Sequence, residues 1–196
     1  MGARLAWADA ICHNGFMDIH HLYSHAGFPS RAIDEMWVEV VRPTPNRLDL
    51  RFIAAGRIAE ILLPDPSDAG RADELWRTTC FEAFIRSVGE QGYRELNFSP
   101  SRRWAAYEFD GYRAGMREAA LITPLRITLD IEVKRMVQDV SLELDLGDGP
   151  SELGLSAIIE TRGGAKSYWA LIHPANEPDF HNPACFAADL PPPDKA

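Results

Sequence analysis

Residues 75–85 read LWRTTCFEAFI, and residues 97–113 read NFSPSRRWAAYEFDGYR. The first stretch carries two periods at once. Trp76, Cys80, Phe84 and Val88 fall four apart, the spacing of one helix face. Taken as a strand, Thr79, Phe81, Ala83 and Ile85 point one way, and Cys80, Glu82, Phe84 and Arg86 the other. The paired threonines favour the strand, as do the strand-like segments YRELNFS and WAAYEF that follow. Read that way, the whole chain becomes all-β.

Outward from this centre the alternation is clearer. In MWVEVVR, Met36, Val38 and Val40 alternate with Trp37, Glu39 and Val41. After the turn residues PTPN at 43–46, RLDLRF sets Leu48, Leu50 and Phe52 against Arg47, Asp49 and Arg51, which predicts a half-buried hairpin. A short strand over IAEILL is expected after Gly56, then a polar loop, PDPSDAGRAD. Asp110-Gly111 is a tight-turn signal, because glycine accepts positive φ. RITLDIEV is expected to bury Ile127, Leu129, Ile131 and Val133, and VSLELDL to bury Val140, Leu142 and Leu144. LGLSAIIE and KSYWALI flank a hairpin turn at TRGGA. About ten strands with no long helix predict a two-sheet antiparallel β-sandwich. The expected division is a poorly structured extension over 1–30, one sandwich domain over 31–191, and a tail over 192–196.

Composition narrows the function. At 196 residues the chain is long enough for one domain with a proper core. Its 20 basic and 29 acidic residues leave a net charge of −9, and only Arg102-Arg103 sit side by side, which argues against a nucleic-acid surface. No apolar run reaches membrane-spanning length, and the first residues lack the pattern of a secretory signal. Three cysteines without a CxxC pair point to reduced thiols and a cytoplasmic setting. His13, His20, His21 and His25 cluster early; on a helix His21 and His25 would share a face and could bind metal, but no ligand set is completed around them. The acids Asp65, Asp68 and Asp73 match no calcium-loop spacing. A P-loop, a dinucleotide fingerprint and a zinc signature are missing, so no metal is expected.

The segments LWRTTCFEAFI, NFSPSRRWAAYEFDGYR, LGLSAIIE, SYWALIHP and PDFHNPACF, in this order, resemble the bacterial DOMON-like domain proteins. That group is related to the family-nine carbohydrate-binding modules and, more distantly, to DOMON domains. The resemblance spans roughly residues 35–191 and implies a jelly-roll type of sandwich, with the strand reading of 75–88. It also implies a ligand: relatives bind sugars or haem. In the sugar-binding modules a tryptophan precedes a strand and a glutamate follows six residues later, as Trp76 and Glu82 do here. Their opposing aromatic comes from a segment matched by HNPACF, which offers Asn182 and Phe186 but lacks the tryptophan.

A pyranose presents an apolar CH face and directional hydroxyls, so a ring beside an acid and a guanidinium suits it. Trp76, Glu82 and Arg113 are therefore the first candidates, with Asn97, Asn182 and Phe186 at the rim and Trp169, His173 and His181 as secondary ones. The competing reading makes Trp76 core and Glu82 a structural partner of Arg113. Trp104, Tyr107 and Phe109 are expected between the sheets, with Trp104 opposite the other two, while Tyr168 and Trp169 must face opposite ways. Cys80, among apolar neighbours, reads as core. The function these residues imply is a non-catalytic binding domain for a small carbohydrate or glycan, with no cofactor. The alternatives are a haem or redox-binding domain, and a protein-interaction domain with no small ligand.

Overall fold

Strands are the dominant element, with burial alternating along β10 (Arg135–Glu143) and covering both faces of β5 (Cys80–Ser87). In chain order they are β1 (Met17–Ser24), β2 (Ile33–Thr44), β3 (Arg47–Gly56), β4 (Gly70–Arg71), β5 (Cys80–Ser87), β6 (Tyr93–Phe98) and β7 (Arg103–Phe109). Then come β8 (Arg117–Glu118), β9 (Arg126–Ile131), β10 (Arg135–Glu143), β11 (Ser151–Glu160), β12 (Lys166–Ala170) and β13 (Ala188–Leu190). The structure, a computed structural model, describes residues 17–123, 125–174 and 176–192. Among these, helical turns are confined to single 3-10 turns at Ile58–Glu60, Leu75–Arg77 and Pro183–Cys185.

The strands run in the order β4-β7-β6-β5-β11-β12-β1-β2-β3-β10-β9, with β8 on β7 and β13 on β11. Pairing is antiparallel except between β4 and β7. The long sheet folds over itself into two layers, β1-β2-β3-β10-β9 against β12-β11-β5-β6-β7, and the result is an all-β sandwich. β1 joins them: Met17 to Leu22 pair with β2, whereas Tyr23 and Ser24 pair with Ala170 and Trp169 of β12. A strand that changes sheets in this way forms a corner of the sandwich.

Between the layers lie Met36, Val38, Val40, Leu48, Leu50 and Phe52 from one sheet and Phe81, Ala83, Leu96, Phe98, Leu155 and Trp169 from the other. Each fully buried large apolar side chain contributes roughly 1.5–3 kcal/mol. One polar bond crosses this interior: Gln138 of β10 donates to the Phe98 carbonyl of β6 at 3.1 Å.

The structure corrects several expectations. Residues 17–24, placed in a poorly structured extension, form β1, so His21 and His25 are not on a helix; His13 lies outside the described residues. The expected strand after Gly56 is a 3-10 turn, with a single bridge from Ile61 to Thr161. β9 stops at Ile131, because the chain turns back at Glu132 into β10; Ile131 and Val133 are therefore exposed. The positive φ of the β7–β8 turn falls on Arg113 and Gly115 instead of Gly111. Trp104 does face away from Tyr107 and Phe109, but the latter two belong to the outer face of their sheet.

Gly56 shows how tightly β3 is finished. Its φ is 151°, and a Cβ there would sit 2.2 Å from the Ala32 carbonyl oxygen. Gly56→Ala should therefore destabilise the fold by about 2 kcal/mol or more. Equilibrium urea unfolding checks this; a loss below 0.5 kcal/mol (about the spread of neutral surface changes) would contradict it.

Candidate functional site

The sheet β12-β11-β5-β6-β7 is covered on its second face as well. Phe84, Tyr93, Tyr107, Phe109 and Ile158 point outward there, and the segment after β12 lays Phe180 and Phe186 over them. Gly154 permits the close approach, because a Cβ at that position would meet the Cys185 carbonyl at 3.1 Å and Phe84 Cβ at 3.2 Å. The cover is incomplete. It leaves a cavity of about 610 Å³ bounded by β5, β6, β7, β11, β12, the Leu75–Arg77 turn and the 178–181 segment.

Its floor carries two carboxyl groups. Glu82 of β5 is 2% exposed and Glu95 of β6 is 6% exposed. Glu82 stands opposite Asn97, and Glu95 opposite Phe84, so the two acids are diagonal neighbours on adjacent strands. Ser156 of β11 donates to Glu82 Oε2 at 2.9 Å, and Asn97 Nδ2 donates to Glu95 Oε1 at 2.7 Å. Burial, reinforced by the charge of Glu95, pushes the Glu82 carboxyl up to about 8. Burial raises that of Glu95 too.

His181 closes one side. Tyr93 Oη accepts the Arg113 backbone N–H at 3.2 Å and is hydrogen-bonded to His181 Nδ1 at 2.7 Å. The other ring nitrogen, Nε2, faces Glu95 Oε2 at 3.6 Å. Burial lowers the imidazole pKa to about 4, and the ring is neutral at physiological pH.

The mouth is more polar and fully paired. Arg113 binds Asp179 at 2.8 Å, Glu74 binds Arg77 at 2.7 Å, and Asp73 accepts from both Arg71 and Tyr107 Oη. Trp76, on the Leu75–Arg77 turn, is 49% exposed. Glu74 (φ 58°) and Arg113 (φ 52°) hold left-handed backbone although they are not glycines. Strain of this kind costs of order 1–3 kcal/mol per residue and gathers where chain geometry serves a site.

Of the residues singled out from the sequence, Trp76, Glu82, Arg113 and His181 line the cavity. Asn97 is buried behind it and serves Glu95. Four others do not line it. Asn182 caps the turn at Pro183–Cys185 by accepting from Ala184 N. Phe186 is buried against Tyr93 and beneath Arg86. Trp169 lies in the inter-sheet core, and His173 ties to the Tyr23 carbonyl at 2.8 Å. Neither Trp76 nor Glu82 follows the competing reading: Trp76 is not core, and Arg113 pairs with Asp179 instead of Glu82. Tyr168, the partner of Trp169 in the alternation, is the one that lines the cavity; Glu95 and Phe180 were missed, although Glu95 follows from period two in YRELNF, where it shares a face with Tyr93 and Asn97. Among the described residues no group of three histidine, cysteine or acidic side chains is placed to hold a metal.

The buried acids set a pH dependence. Glu82 ionises near its ordinary 4.5 in the unfolded chain and about 8 when folded, so the folded state holds more protons and stability falls as pH rises between these values. His181 acts oppositely, but only between its ordinary 6.5 and about 4. The other ionisable groups of the cavity and its edges are Tyr93, Tyr107, Tyr168, Lys166, Arg113, Asp73, Glu74 and Asp179. Between pH 6.5 and 8 the buried acids, Glu82 together with Glu95, lower stability as pH rises, by an amount on the order of 1–2 kcal/mol. Thermal melts should show the midpoint falling over that window in the native protein and flattening in Glu82→Gln; identical profiles would refute the assignment.

No family model matches this sequence, and neither does any curated protein. Two solved structures share its fold. A candidate carbohydrate-binding protein from Bacteroides uniformis superposes with a TM-score of 0.64 at 12% identity, over 93% of this chain and 88% of that one. A family 9 carbohydrate-binding module from Caldicellulosiruptor kristjanssonii, solved in complex with glucose, superposes with a TM-score of 0.54 at 8% identity, over 95% and 88%. At such identities the likeness is one of fold, and it agrees with the all-β sandwich expected from the strand pattern.

Proposed function

We propose that this protein is a non-catalytic carbohydrate-binding domain and that its ligand enters the cavity above Glu82 and Glu95. The observation that carries the reading is the cavity itself: about 610 Å³, walled by aromatic rings, with polar groups gathered on its floor. This volume falls within the ~300–1,000 Å³ of small-ligand sites. Trp76 offers a half-exposed ring at the mouth, with the Arg77 guanidinium 5.6 Å from its centroid, against which the CH face of a pyranose can stack, and the carboxyl groups offer directional hydrogen bonds to hydroxyls. The fold shared with a module solved in complex with glucose supports the same ligand class.

The side chains supply no evident catalytic set. Cys80 is fully buried, its thiol pKa is raised by desolvation, and it contacts Asn97 Oδ1 at 3.8 Å instead of a general base. Arg113 and Asp179 are engaged with each other at the entrance.

Isothermal titration against glucose, cellobiose and cell-wall oligosaccharides tests the reading. Binding is expected, and Trp76→Ala should weaken it at least tenfold, about 1.4 kcal/mol. Because half of the ring is already in water, the variant should keep its melting temperature to within about 3 °C. Absence of binding across the panel, with a visible absorption band on addition of haemin, would replace the sugar reading with the haem one.

A further inference from the structure

The charges around the cavity divide unequally between mouth and floor. At the mouth each acid has a cation: Glu74 has Arg77, Asp73 has Arg71, and Asp179 has Arg113. The ammonium of Lys166, which also lines the cavity, is bound to the Arg77 carbonyl. On the floor, Glu82 and Glu95 are more than nine-tenths buried, and among the described residues neither makes a direct ion pair with a lysine or arginine, although the Arg113 charge is felt by Glu95 from the mouth. Glu82 accepts one hydrogen bond, from Ser156 to Oε2, and Oε1 accepts none from any described side chain. Glu95 faces an imidazole that is neutral at physiological pH, at a distance too long for a strong hydrogen bond. Two buried acids side by side, neither in a direct ion pair, constitute an electrostatic arrangement that a cation between them would favour.

We propose that the cavity selects ligands bearing a protonated amine, within the carbohydrate class an amino sugar, whose ammonium group sits between Glu82 and Glu95. The inference rests on the carbohydrate reading of the same cavity and specifies its substrate class. A hydroxyl at that place could hydrogen-bond to either acid but would bring no charge. An acetamido group would add bulk and bring no charge either. An ammonium group supplies three donors and a positive charge that favours the ionised form of both acids. Phe84, Tyr107, Phe109 and Tyr168 line the same cavity, and aromatic rings attract cations. Because Glu82 is protonated in the empty cavity near neutral pH, amine binding displaces its proton to solvent.

Calorimetric titration of the full chain at pH 6.5, in phosphate and in HEPES, distinguishes the possibilities. The probes are glucose, glucosamine and N-acetylglucosamine, with cyclohexylamine and cyclohexanol as ring-shaped non-sugars. Glucosamine is expected to bind at least tenfold tighter than glucose or N-acetylglucosamine. Its heat should differ between buffers, corresponding to about one proton released per ligand. Glu82→Gln, and independently Glu95→Gln should the first variant not fold, should bring the glucosamine-to-glucose ratio close to one. Glucose binding as tightly as glucosamine would overturn the amine inference and leave the carbohydrate reading intact. Preference for cyclohexylamine over cyclohexanol, with no sugar bound, would overturn the carbohydrate reading and retain the cation site. Binding of none of the five would overturn both.

Discussion

The strands β5, β6 and β11 are removed from water on both faces, and the rest of the molecule follows from that constraint. Their inner side chains, among them Phe81, Ala83, Leu96 and Leu155, fill the space between the sheets. Their outer side chains cannot be solvated freely, because the segment after β12 lies over them. Any polar residue on the outer face must then find a partner or change its charge state. Asn97 and Ser156 take the first course by bonding to Glu95 and Glu82. The two acids accept those bonds, and burial raises the pKa of both.

A frame this tightly buried needs its ends fixed, and a second buried charge does so at the far edge of the sandwich. Arg42 of β2 donates to the carbonyls of Pro45, Gly147, Gly149 and Pro191. It thereby links the β2–β3 turn, the β10–β11 connection and the chain just beyond β13. An arginine bonded to four carbonyls keeps its charge through ion–dipole bonds, without a buried carboxylate. The two buried charged regions thus have different solutions: Arg42 donates to four carbonyls, with its Nε left without a partner, while Glu82 Oε1 accepts from no described side chain.

The strand pattern of this fold was legible because period two acts over short distances. The burial of Met36, Val38 and Val40, or of Leu48, Leu50 and Phe52, needs only one interior to point toward. The outward turn of Tyr168 against Trp169 follows from the same alternation. What alternation cannot express is a second covered face. Cys80, Glu82 and Phe84 alternate correctly with Phe81, Ala83 and Ile85, yet both sets are buried. The residues that cover the outer set come from 178–186, about a hundred positions downstream, with no period of their own. For that reason Phe186 and Phe180 could exchange roles, one filling the face and the other lining the cavity, without any local sign in the sequence. β1 escaped notice for a related reason: its exposed Met17, Ile19 and Tyr23 blur the contrast that marks a half-buried strand.

The geometry of the cavity argues against reading its floor as ordinary core. If the outer face only had to be closed, apolar side chains in place of Glu82 and Glu95 would fill it without a desolvation penalty, and swaps of that kind are commonly neutral or stabilising. Instead the fold retains an open volume next to two acids and holds left-handed backbone at Glu74 and Arg113 on its edge. Each of these features costs stability and none closes the sandwich. They have in common that a bound molecule would offset them together: it would fill the volume, supply donors to the free carboxyl oxygen, and use the mouth that the two strained residues shape. On the proposed reading the cavity is one half of a complex, which accounts for features that closing the sandwich does not require.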